Sequence, residues 1–217
     1  MARFRAVAEE DKAARRQSIL DAAMRLFLEN SRELPSVIRI ADASGLAKGT
    51  VYLYFRTKEE IFLALLDEGF HSLLDTAASL LATDGLSPEQ LVDGFVDRYL
   101  AFFRSRPHFL RLAAMTNSVI EQNLDPPVAV EFKLGLVHAL RRAGELAEQR
   151  LPGLASGDGG RLLLRVYALT LGLWQMLDWP ENVRTLLADD QFQVLRPDFF
   201  DELDQALRQL LRGALSR

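Results

Sequence analysis

Between Ser36 and Lys58 the chain gathers side chains suited to holding a phosphate backbone. Arg39, Lys48 and Lys58 are cations that can neutralise phosphates, a contribution that weakens as salt rises. The phenolic hydroxyls of Tyr52 and Tyr54 can donate to phosphate oxygens. Ser36 can cap a helix and touch a phosphate. Thr50 can hydrogen-bond a base edge, and its methyl group can meet that of thymine. Gly49 allows backbone to approach a duplex closely. The apolar residues between them follow helical spacing. Ile40 and a small Ala41 face inward on one short helix, Leu46 plugs a turn, and Val51 and Phe55 at i and i+4 pin a second helix. Two short helices, 36–44 and 48–55, around a turn containing Gly45 make a helix-turn-helix. The second would enter a major groove with its N-terminal half leading.

The elements that must position this segment are helical. The 217 residues include 40 Leu and 26 Ala against 24 Val, Ile and Thr together, which argues against strands. A hydrophobic content of 49% is enough to bury a core. The eight prolines punctuate Leu/Ala-rich stretches, because proline is excluded from helix interiors. A first helix is expected over 11–30, with Ile19, Ala22, Ala23, Leu26 and Phe27 on one stripe. Thr57-Lys58-Glu59-Glu60 reads as a capping box opening a long helix to about residue 81. Ser87-Pro88-Glu89-Gln90 opens the next. Further helices are expected over 107–123, 127–150, 160–178, 180–188 and 198–215, with 156–160 as a loop.

Composition removes several chemistries. With no cysteine there is no disulfide, thiolate zinc site or cysteine nucleophile. His71, His108 and His138 are far apart and lack metal-ligand spacing. No P-loop, GxGxxG or nucleophile elbow occurs, so neither catalytic residues, a metal nor a cofactor is expected. No apolar run of about 18 residues and no signal-peptide pattern is present, so a cytoplasmic protein without membrane contact is expected. The net charge of −4 conceals a division: residues 1–58 carry 11 Lys/Arg against 7 Asp/Glu, and residues 59–217 carry 15 against 23.

Residues 12–62 resemble the DNA-binding domain of TetR-family transcriptional regulators. The resemblance rests on Ile19-Leu20-Asp21-Ala22-Ala23, Leu26-Phe27, Ile40-Ala41, Gly45, Lys48-Gly49-Thr50-Val51-Tyr52, Tyr54-Phe55 and Lys58-Glu59, in order and without a gap. It implies a helical homodimer that binds an inverted-repeat operator and is released from it by a small molecule. Ser31, Arg32, Pro35-Ser36 and Ala47 depart from the family's usual residues, and Ala47 cannot cap the second helix with a side chain.

The expected architecture is all-α: a three-helix helix-turn-helix head, residues 1–58, on a larger helical ligand-binding and dimerisation domain, residues 59–217. Candidate ligand contacts are aromatic or polar residues on apolar faces: Phe95, Tyr99, Phe102, His108, Met115, Asn117, Val119, Phe132, His138, Trp174 and Asp178. The resemblance places dimerisation on the last two long helices, which offer Ala168 and Gly172, then Leu203, Leu207, Leu210 and Leu211. The long helix from Lys58 would couple ligand to head. A helical carrier or enzyme that keeps this head is the alternative, with a transcriptional activator as a variant sharing the DNA site.

Overall fold

A computed structural model describes the backbone of residues 2–215 and the side chains of residues 10–116 and 118–215. Its helices are α1 (Ala2–Glu29), α2 (Val37–Ser44), α3 (Lys48–Tyr52), α4 (Lys58–Leu81), α5 (Pro88–Ser105), α6 (Phe109–Ala114), α7 (Pro126–Arg150), α8 (Asp158–Leu177), α9 (Glu181–Leu186) and α10 (Phe199–Leu215). No strand occurs among the described residues, and no described helix is long and apolar enough to cross a membrane. The fold is all-α, as the Leu/Ala excess requires.

The chain forms two compact units, each discontinuous in sequence. Residues 1–69 and 111–133 form the first, and residues 70–110 and 134–217 the second. The first is therefore larger than a 1–58 head. Its additional segment buries Leu112, Ala113, Ile120 and Phe132, and Asp125 within it pairs with Arg56 at 2.7 Å. In the same unit Ile19, Leu20, Ala23 and Phe27 of α1, Ile40 and Ala41 of α2, Val51 of α3, and Ile61 and Phe62 of α4 are buried. The rings of Phe27 and Phe62 lie 5.5 Å apart.

The second unit is built on a run of rings. Phe95 stacks on Tyr99, Tyr99 meets Phe103, and Phe102 and Phe103 both meet Phe109. Phe70 contacts Phe109 at 5.2 Å and Tyr167 at 5.3 Å, which ties α4, α6 and α8 together. The Tyr99 hydroxyl donates to Thr170 Oγ1 at 3.1 Å, and Thr170 donates onward to Val166 O. Arg208 of α10 is held by Asp204 of its own helix and by Asp93 and Asp97 of α5. The Ser87–Gln90 capping box forms in full. At Thr57 only one arm forms: the hydroxyl accepts from Glu60 N, whereas Glu60 reaches back to Arg56 N at 2.7 Å.

Three departures from the sequence reading have physical causes. The helix expected over 107–123 breaks after Ala114. A wide turn of π type, Thr116–Ile120, and a short 3-10 turn come after it. Both Val119 N and Ile120 N donate to Met115 O, and Ile120 is fully buried. Helix α1 starts at Ala2 because Ala, Arg and Glu favour helix even where, as over residues 10–15, nothing is buried. Helix α8 starts at Asp158, inside the expected loop. Glu148 Oε1 accepts from Gly157 N and Gly159 N, closing that helix start. Gly159 and Gly144 let α7 and α8 touch backbone to backbone: a Cβ on Gly159 would sit 2.1 Å from Gly144 O.

Gly159→Ala should therefore lower stability by about 1–3 kcal/mol through overpacking. Gly213→Ala on α10, where a Cβ meets nothing within 4 Å, should be neutral or stabilising. Denaturant unfolding of the two variants checks both, and equal midpoints would refute the close crossing.

Candidate nucleic-acid interface

The helix-turn-helix is held from its turn outward. Gly45 has φ +70°, a left-handed conformation that L side chains rarely adopt. All four terminal carbonyls of α2 find donors. Ala41 O accepts from Leu46 N and Ser44 Oγ, and Asp42 O from Gly45 N. Ala43 O accepts from Arg25 Nη2 at 2.8 Å, and Ser44 O from Ser18 Oγ at 3.3 Å. Arg25 and Ser18 stand on α1, so that helix fixes where α2 ends and therefore how α3 departs. Sequence reasoning missed both residues. Their signal is weak, since an exposed Arg and a half-buried Ser on an amphipathic helix look ordinary.

On α2, Ser36 Oγ accepts from Arg39 N at 3.4 Å, the cap expected of it. Helix α3 has no side-chain cap at Ala47, also as expected. Val51 is buried and Phe55 joins it in the core, so α3 has one inner face. Lys48, Gly49 and Tyr52 are exposed on the other, with Thr50 and Tyr54 half-buried at its margin. Lys48 Nζ lies 5.7 Å from the Tyr52 ring centroid, so the lysine runs along the helix over the ring. Ser36 and Arg39 are exposed; Arg39 pairs loosely with Glu29 at 3.7 Å. Lys58 is half-buried at the start of α4. Arg56, absent from the sequence reading, lines a groove of about 390 Å³ together with Tyr52, Leu53, Tyr54, Asp125, Pro127 and Val128.

Gly49 is informative because nothing in the chain needs it. A Cβ there would meet no atom within 4 Å, and its φ is unremarkable. Glycine in a helix nonetheless costs about 0.5–1 kcal/mol relative to alanine. An exposed glycine with no internal reason fits close approach by something outside the chain.

The candidate ligand residues are distributed over both units. Met115, Val119 and Phe132 belong to the first unit, and Phe95, Tyr99, Phe102, His108, His138, Trp174 and Asp178 to the second. The Asn117 side chain lies outside the described residues. Tyr99 and Phe102 are core: both are buried, and Thr170 satisfies the Tyr99 hydroxyl. Burial pushes that phenol above its ordinary range. His138 is exposed on α7. Phe95 borders a small apolar cavity of about 30 Å³ with Leu91, Leu151 and Leu162. His108 Nδ1 is buried without a hydrogen-bond partner, as is Trp179 Nε1, which sequence reasoning passed over for Trp174. Burial, helped by Arg106, holds the His108 imidazole below its ordinary range.

The expected dimer stripe on α10 needs correction. Leu203, Leu207 and Leu211 are buried within the chain, where α10 packs along α5 and α8, so they are not available to a partner. Leu210 is half-buried. On α8, Ala168 is exposed and Gly172 half-buried, in line with Leu164 and Met176, which are 54% and 67% exposed.

Residues 19–65 match the family of bacterial regulatory proteins named for tetR, and residues 67–217 match the tetracyclin repressor-like C-terminal domain. The chain belongs to the TetR family. Among curated TetR-like relatives, it is 30% identical to the fatty acid metabolism regulator protein of Bacillus subtilis over 82 residues, 38% of this chain and 42% of that protein. It is 40% identical to an HTH-type transcriptional repressor of Mycobacterium tuberculosis over 62 residues, 29% of this chain and 33% of that one. The chain thus spans less than half the length of either. The solved fatty acid degradation regulator FadR of Bacillus halodurans shares the TetR fold over 92% of this chain and 95% of its own, with a TM-score of 0.61 and 19% identity.

Two outcomes are expected. Gly49→Ala should keep or raise the thermal midpoint and sharply weaken DNA binding in a mobility-shift assay; undiminished binding would remove Gly49 from the interface. The lowered His108 pKa sets a sign for stability. That group's contribution is complete above its unfolded value of 6.5 and is lost as pH falls through the folded value. Unfolding midpoints between about pH 7 and pH 5 should fall less steeply in His108→Gln than in the parent chain.

Proposed function

We propose that this chain is a homodimeric, ligand-responsive repressor that binds an inverted-repeat operator and leaves it when a small molecule binds. The observation that carries this reading is the division of α3 into a buried edge, Val51, and an exposed face of Lys48, Gly49 and Tyr52. Ser36, Arg39, Thr50, Tyr54 and Lys58 complete the DNA surface, with phosphate contacts orienting the helix and Thr50 reaching a base edge. Two such surfaces related by a dimer axis would occupy successive major grooves, so the operator is an inverted repeat. The protein acts in the cytoplasm as a DNA-binding regulator without a catalytic role.

The dimer forms through the α8 face. Leu164, Ala168, Gly172 and Met176 recur every four residues, and the small residues at the centre permit close helix approach. Leu210 of α10 lies beside this role, whereas the rest of its stripe serves the chain's own core. An isologous contact of this kind uses the same patch on both copies.

The effector is apolar with a polar end. The two relatives with fatty-acid names point to a long-chain acyl compound as the first to test. Among the described residues, His108 Nδ1 and Trp179 Nε1 are the buried polar groups of the second unit that lack partners, and groups of this kind are normally satisfied. Helices α4, α6 and α7 each contribute residues to both compact units. By linkage, DNA must weaken effector binding by the same factor that the effector weakens DNA binding.

Selection of duplexes from a randomised pool should return an inverted repeat whose binding is salt-sensitive. Tyr52→Ala should weaken that binding without lowering the unfolding midpoint. Ala168→Glu should yield monomers by light scattering and lose high-affinity binding to the repeat. Recovery of no consensus, or a fully dimeric Ala168→Glu, would remove the operator or the dimer face respectively.

A further inference from the structure

We propose that Arg56 is a phosphate-binding residue of the DNA interface and that Asp125 is its internal competitor, holding the guanidinium in reserve until DNA displaces it. This rests on the reading of α3 as the DNA-contacting helix. Arg56 comes directly after Phe55 and shares a groove with Tyr52 and Tyr54, so its guanidinium lies beside the residues assigned to phosphate. Its side chain is 75% exposed, yet it is not loose: Nη1 donates to Asp125 Oδ2 at 2.7 Å, and its backbone N–H donates to Glu60 Oε2 at 2.7 Å. The backbone is thus fixed by α4 while the side chain is occupied by a carboxylate, the nearest protein equivalent of a phosphate oxygen pair.

The backbone of the residue that carries the carboxylate is also held. Asp125 O accepts from Val128 N and Ala129 N, so the residue stands at the start of α7, and Pro126 and Pro127 stiffen the first turn of that helix. The pair does little for folding, because ion pairs this exposed contribute little. An interaction of that strength is easily exchanged for a phosphate. It also places an acidic group in the groove that Tyr52, Leu53 and Tyr54 line. Any displacement of the α7 start changes how far the cation is sequestered. The same pair therefore supplies a point at which α7 adjusts DNA affinity.

The test uses the full chain and a duplex selected by it from a randomised pool. Asp125→Asn should bind that duplex about two- to five-fold more tightly, the range open to an exposed pair. Its dependence of log affinity on log salt should match the parent's, because the same number of phosphates is neutralised in both complexes. Arg56→Ala should weaken binding and flatten the same slope. In the Arg56→Ala background, Asp125→Asn should change nothing. Overturning results are an Asp125→Asn chain that binds no better than the parent, or a gain that persists without Arg56. The latter would mean that Asp125 acts by its own charge alone. Lys48→Ala separates the two readings: if it leaves affinity intact, α3 is not the interface and the underlying assignment fails, whereas loss of binding there with no Asp125 effect removes only the competitor.

Discussion

A helix of five residues cannot sustain itself in water, and α3 is that short. Its orientation is borrowed from the core beneath it. Val51 and Phe55 are buried with Ile40, Ala41, Phe27 and Phe62, and the turn before it is closed by Gly45 and by donors from α1. Every outward residue of α3 takes its direction from that anchorage. The constraint explains why the module tolerates the missing side-chain cap at Ala47: tertiary burial, not local helix stability, holds the helix in place.

The same economy operates in the larger unit. There the rings of Phe70, Phe95, Tyr99, Phe102, Phe103, Phe109 and Tyr167 fill the space between helices, and Gly144 and Gly159 remove it where α7 crosses α8. Polar groups inside are satisfied locally, as with Tyr99 and Thr170, or left without partners, as with His108 Nδ1 and Trp179 Nε1. That contrast separates residues that serve packing from residues with a group to offer. Charges at the margin do a third job. Arg208 binds α10 to α5 through carboxylates of both helices, whereas the more exposed Arg56–Asp125 pair adds little to stability.

Glycine positions report different demands under one residue type. Gly45 is required by its own backbone, Gly159 by a neighbouring backbone, and Gly49 by neither. The first is legible in the sequence because a glycine after an apolar-periodic stretch is a helix stop, and the third because an outward glycine allows close backbone approach. The second needs the tertiary crossing. The third becomes conspicuous once the space around it is known to be open.

The helical class, the helix-turn-helix register and the outward set Lys48, Gly49 and Tyr52 are legible in the chain alone, because they arise from composition, periodicity, capping residues and spacing, the last three within 23 consecutive positions. The start of α4 and the Ser87 capping box were legible for the same local reason. Tertiary structure decided what depends on residues far apart in the chain. It turned Leu203, Leu207 and Leu211 inward although their stripe alone could equally have faced a partner. It assigned Tyr99 and Phe102 to the core, broke the helix at Ala114 and brought Asp125 to Arg56 across 69 positions. Amphipathic spacing says that a face is apolar. Which surface covers it is settled only when the helices meet.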